Sequence, residues 1–413
     1  MNIKIYNKIK KKGITGCAKA VKIRIIKAYN YMLLKKYGSL PIDEFSIVIE
    51  SEGDCSDNAY ALFDYMRENG YLGKYRITWL VDYPENFYDD ENVKYVYKDI
   101  YKRFNAKTIK ELSTCHWYIY DHCDILMNHK RTGQKIIFLN HGGGFKAPTG
   151  TPVSYADETY TPSELFYYPA SACWGCPIDK IFDLGFPRLD YFFKENNDNQ
   201  QALIKELALD KYKAVFLWMP TFRTSKNKDL TEKYFESETG LPILYKNNEL
   251  DEFNEILKKN NSLCIFKVHH LQAELNVFKR KYSNIIIFND EMIKQFNLQL
   301  YEFIKLTTCL ITDYSSISTD YMLLNHPIIY TMDDYEEYRH SRGFSIDDPS
   351  QYFVGYQVYD KKQLSEAIQE ITNGKDIYQD ARMKLLPVLH SHIDGNASAR
   401  ILEHLGIRIK ENN

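Results

Sequence analysis

Along most of the chain, short apolar runs alternate with stretches of helical periodicity. In the first half, Phe45–Glu50 (FSIVIE), Ile77–Val81 (ITWLV), Trp117–Tyr120 (WYIY) and Lys135–Leu139 (KIIFL) have the length and the β-branched and aromatic content of buried strands. Asn58–Glu68 has the period of a helix, with Ser56 or Asp57 at its N-cap and Gly70 as its stop. The scheme then repeats. Ala214–Met219, Leu263–Val268, Asn284–Phe288, Cys309–Thr312 and Ile328–Thr331 read as strands, and helices fall around Glu249–Lys259, Ser316–Leu324 and Lys361–Thr372. Strands separated by helices imply βαβ units and mostly parallel sheets. The polar stretch Lys194–Gln201 (KENNDNQQ) is the best linker. The pattern therefore predicts two αβα domains, residues 43–195 and 196–413, facing a central cleft and preceded by a separate segment, 1–42.

That segment changes the reading of the charge. The chain of 413 residues holds 53 Lys and Arg against 55 Asp and Glu, a formal net charge of −2, which argues against a dedicated nucleic-acid binder. Eleven of the basic residues lie before Asp43, the first acid, so the rest carries 42 bases against 55 acids. Within the segment, Ala18, Val21, Ile25, Tyr29 and Met32 recur at spacings of three and four, with Lys19, Arg24, Lys27 and Lys35 on other faces. Lysines interrupt every apolar run, so neither a transmembrane helix nor a secretory signal is predicted. Two readings remain: a basic amphipathic helix lying on an anionic membrane, or a helix docked on the body with a solvated basic side. Without a signal peptide the eight cysteines are expected to be reduced thiols, and Cys173-Trp-Gly-Cys176 lacks the second pair that a zinc ribbon needs.

In parallel αβα domains, ligands bind beyond the carboxyl ends of the strands. Four segments place reactive residues there. His141-Gly142-Gly-Gly-Phe-Lys146 follows a strand, and its histidine suits a general base or the cap of a glycine-rich turn. Thr221-Phe-Arg223 offers an Arg for phosphate or for a surface ion pair. Lys267-Val-His269-His270 sits at a strand end, where alternation lets only one histidine face a cleft. Asp313-Tyr-Ser315-Ser316, continuing to Asp320, joins a strand to a helix and gathers hydroxyls at the helix start, as an anion site or a plain N-cap. Arg342-Gly343 downstream could add a phosphate contact. No metal cluster is apparent.

In this order and spacing the segments resemble the CDP-glycerol glycerophosphotransferase family of teichoic acid and capsule polymer synthesis, from about residue 45 to 405. Asp57-Asn58 opens the match. His141-Gly142 and Lys146 are similar to its HG-x-x-x-K motif, Gly185-Phe-Pro187-Arg188-Leu-Asp190 to its G-x-PR-x-D, and Pro220-Thr221-Phe-Arg223 to its PTwR. Lys267-Val-His269, Ile311-Thr-Asp313-Tyr-Ser315-Ser316, Asp320-Tyr321, Arg342-Gly343 and Asp394–Arg400 continue it. The resemblance implies a GT-B-like fold of two Rossmann-like domains and a peripheral enzyme on the cytoplasmic face of the bacterial membrane. It would transfer a polyol phosphate from a CDP-linked donor to a hydroxyl of a lipid-linked anionic polymer, releasing CMP, with no cofactor beyond that co-substrate. His141 would be the base and His269 would stabilise charge on the donor pyrophosphate. Ser315, Ser316, Thr221, Arg223 and Arg342 would hold the donor phosphates. Gly142, Lys146, Arg188, Asp190, Lys267, Asp313 and Asp320 would complete the cleft. Because the body is acidic, the bases Lys146, Arg188, Arg223, Lys267 and Arg342 are expected to gather there. One departure stands out: Asn140 occupies the position before the HG pair where the family often has Trp, which leaves the polyol and the acceptor open. The rivals are a GT-B glycosyltransferase using a nucleotide sugar, a related epimerase, and a silent membrane scaffold.

Overall fold

The computed structural model describes residues 3–122, 125–126, 129–142, 144–148, 151–221, 234, 237–268 and 270–409, with residues 3–17 and 270–271 described by backbone alone. Among the described residues thirteen strands form two sheets. The first contains β1 (Asp43–Glu50), β2 (Arg76–Val81), β3 (Val93–Tyr97), β4 (Cys115–Tyr120), β5 (Lys135–Phe138), β6 (Glu158–Tyr160) and β7 (Ile181–Phe182), in the order β3-β2-β1-β4-β5-β6-β7. The second contains β8 (Ala214–Met219), β9 (Ser262–Phe266), β10 (Ile285–Ile287), β11 (Cys309–Thr312), β12 (Ile328–Thr331) and β13 (Tyr356–Val358), in the order β10-β9-β8-β11-β12-β13. The pairs from β3 to β6 and from β10 to β13 are parallel. Both sheets thus reverse direction beside their first strand, at β1/β4 and at β8/β11, the crevice where doubly wound folds bind ligands.

The central strands are buried on both faces, which is why they read as unbroken apolar runs. In the second sheet Trp218 stacks on Phe266 at 5.0 Å, and Phe253 packs edge-on against Trp218. The expected strand over Leu263–Val268 stops at Phe266. Strands β3, β6, β7 and β13 lie outside the expectation: β3 carries Lys94 at its second position, and the others have two or three residues, too few for a periodic signal.

Contacts group the chain into two compact units, one of residues 1–141, 155–159 and 398–413, the other of 142–154 and 160–397. The expected boundary at 195/196 lies inside the second unit. There the polar run is the start of an element: Asn197 accepts the Gln200 N–H at 2.9 Å and the Gln200 side chain returns to Asn197, capping the helix Asp198–Glu206. Polar residues at an N-cap and in a linker look alike in sequence.

The helix Ile3–Tyr37 belongs to the first unit and has two different apolar sides where side chains are described. Ile26 and Leu33 are buried, and Asn30 between them donates to the carbonyls of Ile100 and Arg103 at 2.6 and 2.7 Å and accepts the Asn105 N–H. The stripe read from the sequence is the other side: Val21, Ile25 and Met32 are 55%, 57% and 55% exposed. No helix among the described residues is long and apolar enough to cross a membrane.

Candidate active site

In the first unit, the carboxyl ends of β1, β4 and β5 are neighbours. After β5 the chain passes through Asn140 with φ +65°, a left-handed conformation that Asn tolerates and Trp disfavours. Asn58, buried in the first turn of the helix Asp57–Glu68, donates its amide to the Asn140 carbonyl at 2.8 Å. The Asn140 side-chain oxygen accepts the His141 N–H at 2.6 Å. His141 Nδ1 lies 3.0 Å from the Asp121 carbonyl oxygen. A carbonyl can only accept, so Nδ1 carries a proton, and in the neutral ring Nε2 is the basic nitrogen.

Asp121 holds this arrangement from below. Its carboxylate accepts the Glu52 N–H at 3.1 Å and the Ala59 N–H at 3.0 Å. Burial pushes this carboxyl well above the usual carboxylate range and Asp57 adds to the rise, while the two N–H bonds pull it down. His122 follows. Its ring lies 4.8 Å from that of His141, and its Nδ1 is 3.7 Å from the Glu52 carboxylate.

In the second unit, β8 and β11 deliver Thr221 and Asp313 to the switch point. The buried Asp313 carboxylate accepts the Thr221 hydroxyl at 2.6 Å and the Thr221 N–H at 2.8 Å. Lys146 Nζ donates to the same hydroxyl at 2.7 Å, giving a Lys–Thr–Asp chain. Lys146 is positioned by backbone: it bridges antiparallel to Phe344, the Ala147 N–H reaches the Gly343 carbonyl at 3.1 Å, and the Ser345 N–H reaches the Phe145 carbonyl at 2.7 Å. Gly343, at φ +74°, makes the turn that leads from Arg342 into this pairing. The Arg342 Nε is buried with no hydrogen-bond partner among the described residues. Cys173 donates to the Lys146 carbonyl at 3.4 Å, and burial raises its pKa, keeping it a thiol.

Ser316 precedes the helix Ile317–Tyr321 and makes no capping bond with its side chain. Its neighbour is the glycine loop. A Cβ at Gly142, where φ is +149°, would come 2.9 Å from the Ser316 Oγ, and one at Gly144 would come 3.2 Å from the Ser316 Cβ. Glycine is required for the backbone to lie this close to the serine.

The sequence-predicted residues divide accordingly. Lys146, Thr221, Asp313, Arg342, Gly142 and Ser316 meet within the second unit, with Ser315 adjoining in the chain, whereas His141 stands at the first sheet's edge. Arg188 lies beside the glycine loop, its Nη2 3.6 Å from a Cβ built at Gly142, and is buried in an ion pair with Asp320 at 2.8 Å, with the Tyr301 hydroxyl also on Asp320 and the Tyr301 ring 4.7 Å from the guanidinium. A charge at that depth requires a partner, which removes Arg188 from the pool of unneutralised cations. Asp190 accepts the Ala397 N–H at 2.9 Å. Lys267 Nζ lies 5.4 Å from the centre of the Phe288 ring. Arg223 and His269 lie outside the described residues. Asp121, His122 and Glu52 escaped the sequence reading, although each follows a recognised strand at its carboxyl end, where ligands are expected. No group of three or more His, Cys, Asp or Glu among the described residues is placed to hold a metal.

A family model described as CDP-glycerol:poly(glycerophosphate) glycerophosphotransferase matches residues 37–406. The chain is 25% identical to the teichoic acid poly(glycerol phosphate) polymerase of Bacillus spizizenii over 93% of its own length and 100% of that protein's. It is 27% identical to the teichoic acid ribitol-phosphate polymerase TarL of Staphylococcus aureus over 67% of its length, spanning only 44% of that relative. Among solved structures, the wall teichoic acid polymerase TagF superposes with a TM-score of 0.72 at 20% identity, covering 98% of each chain. A TagF variant soaked with CDPG superposes with a TM-score of 0.70 at 17% identity, again over 98% of each. At these identities the likeness is one of fold, the GT-B-like pairing of two parallel-sheet domains.

Proposed function

The chain belongs to the CDP-glycerol:poly(glycerophosphate) glycerophosphotransferase family, and on that premise we propose that it transfers a polyol phosphate from a CDP-linked donor, CDP-glycerol or CDP-ribitol, to a hydroxyl of a teichoic-acid-like or capsular polymer, releasing CMP. His141 takes the hydroxyl proton on Nε2. The acceptor oxygen attacks the polyol-bearing phosphorus, and the bond from that phosphorus to the CMP phosphate oxygen breaks, with the electron pair leaving on CMP. No covalent enzyme intermediate and no cofactor are needed; positioning and charge stabilisation supply the rate. The Ser315 and Ser316 hydroxyls, Thr221, Arg342 and Arg223 hold the donor phosphates, Lys146 acts through Thr221, and His269 stabilises the developing charge. The observation that carries this reading is the His141 Nδ1 contact with a carbonyl oxygen, which leaves Nε2 in the tautomer a base requires. Incubating the protein with CDP-glycerol, CDP-ribitol and nucleotide sugars tests it. Acceptor-dependent CMP release from a CDP-polyol is expected, and turnover of a nucleotide sugar alone would overturn it.

The acceptor is lipid-linked, and the protein works at the cytoplasmic face of the membrane. The exposed stripe of Val21, Ile25, Tyr29 and Met32, rimmed by exposed Lys19, Lys22 and Arg24, has the form that lies in an anionic headgroup layer. Truncation would strip Ile26, Asn30 and Leu33 from the body, so the cleaner probe is the triple change Val21→Glu, Ile25→Glu and Met32→Glu. It should abolish sedimentation with phosphatidylglycerol vesicles while the melting temperature holds. Undiminished sedimentation would refute the helix's role.

A further inference from the structure

The first unit's carboxyl edge holds a second imidazole that the reaction above does not use. His122 is placed by its neighbour Asp121, whose carboxylate is locked onto the Glu52 and Ala59 N–H groups and whose carbonyl orients His141. Its side chain is 35% exposed, so a ligand can reach it. The ring lies 4.8 Å from that of His141, inclined by 47°, and Nδ1 is 3.7 Å from the Glu52 carboxylate. The other acids at this edge include Asp57 and the buried Glu50 and Asp121. In turnover His141 becomes cationic. An anion of the substrate seated between the two rings stabilises that charge, and His122 has ring nitrogens within reach of it.

We propose that His122 is an acceptor-binding residue that grips the phosphodiester next to the hydroxyl being deprotonated by His141. The spacing matches. A three-carbon polyol built from bonds of about 1.5 Å separates its terminal oxygens by about 5 Å, so a phosphate oxygen against one ring places the terminal hydroxyl at the other. The growing chain end, a polyol phosphodiester, is thereby distinguished from an uncharged hydroxyl.

This inference rests on the transfer reaction proposed above and is tested at saturating CDP-glycerol with two acceptors, a short glycerol-phosphate oligomer and an uncharged glyceryl glycoside. His122→Ala should raise the KM of the oligomer about tenfold, leave the KM of the glycoside and of CDP-glycerol within twofold, and be partly rescued by His122→Arg. Equal losses on both acceptors, or an unchanged oligomer KM, would overturn the assignment. If His122→Ala lowers the melting temperature, His122→Gln, which keeps a donor toward Glu52, is held to the same outcomes. Absence of CMP release by the unaltered protein would instead defeat the transfer reaction itself.

Discussion

The carboxyl edges of the two sheets share a strand order yet hold their side chains by different means. At the first edge, polar groups are committed to backbone: Asn58 to the Asn140 carbonyl, Asp121 to two N–H groups, and His141 Nδ1 to a carbonyl. The neutral ring is thereby held in one tautomer. At the second edge, side chains hold one another, from Lys146 through Thr221 to Asp313, and the glycine loop closes on Ser316. Backbone bonds fix direction without adding charge, which suits a proton acceptor. A cation–hydroxyl–carboxylate chain fixes charge, which suits the binding of an anion.

The sharpest break between the two edges is His141→Ala. CMP release should fall about 10²–10⁴-fold, the range for a lost general base, while calorimetry shows CDP-glycerol binding retained. Next, Lys146→Met removes a charged hydrogen bond of about 1.5–3 kcal/mol, so kcat/KM for CDP-glycerol should drop roughly ten- to a hundredfold, whereas the pH dependence set by His141 stays in place. Smaller is Asn58→Ala. It removes the bond to the Asn140 carbonyl, costs about 1 kcal/mol in urea unfolding and loosens His141, so that kcat falls with donor KM unchanged. The smallest effect separates both edges from the scaffold. In the second unit His390 is buried and His326 half-buried, and desolvation lowers both pKa values despite bonds to the Thr319 and Thr307 carbonyls. They stay neutral in the fold while the unfolded chain takes up protons below about pH 6.5. Their contribution to stability is thus present above that pH and lost as pH falls toward their folded values. The melting temperature should decline between pH 7 and 5, and less steeply in His390→Gln.

Much of the fold was legible because the central strands are buried on both faces and show as apolar runs; β11 and β12 fall on the expected residues. The edge strands were not, being too short or charged to carry a period. The second edge's residues were legible because they cluster within ordered motifs. The first edge's supports were not: Asp121 and His122 belong to no glycine-rich or hydroxyl-rich segment, and their importance comes from β1, β4 and β5 becoming neighbours. For Arg188 the motif gave the place and not the partner: it stands beside Gly142, and its pairing with Asp320 follows from depth, which sequence does not display.

The helix Ile3–Tyr37 is clasped along one side by Ile26, Asn30 and Leu33 while its other apolar side stays open. Such a helix is a bracket and not a leash. A leash would let the first unit tumble beside any surface it found, with the base pointing in every direction in turn. If the open side seats on a membrane as proposed, a bracket dictates the pose, and the angle at which a polymer end would meet His141 becomes a property of how three side chains grip the body.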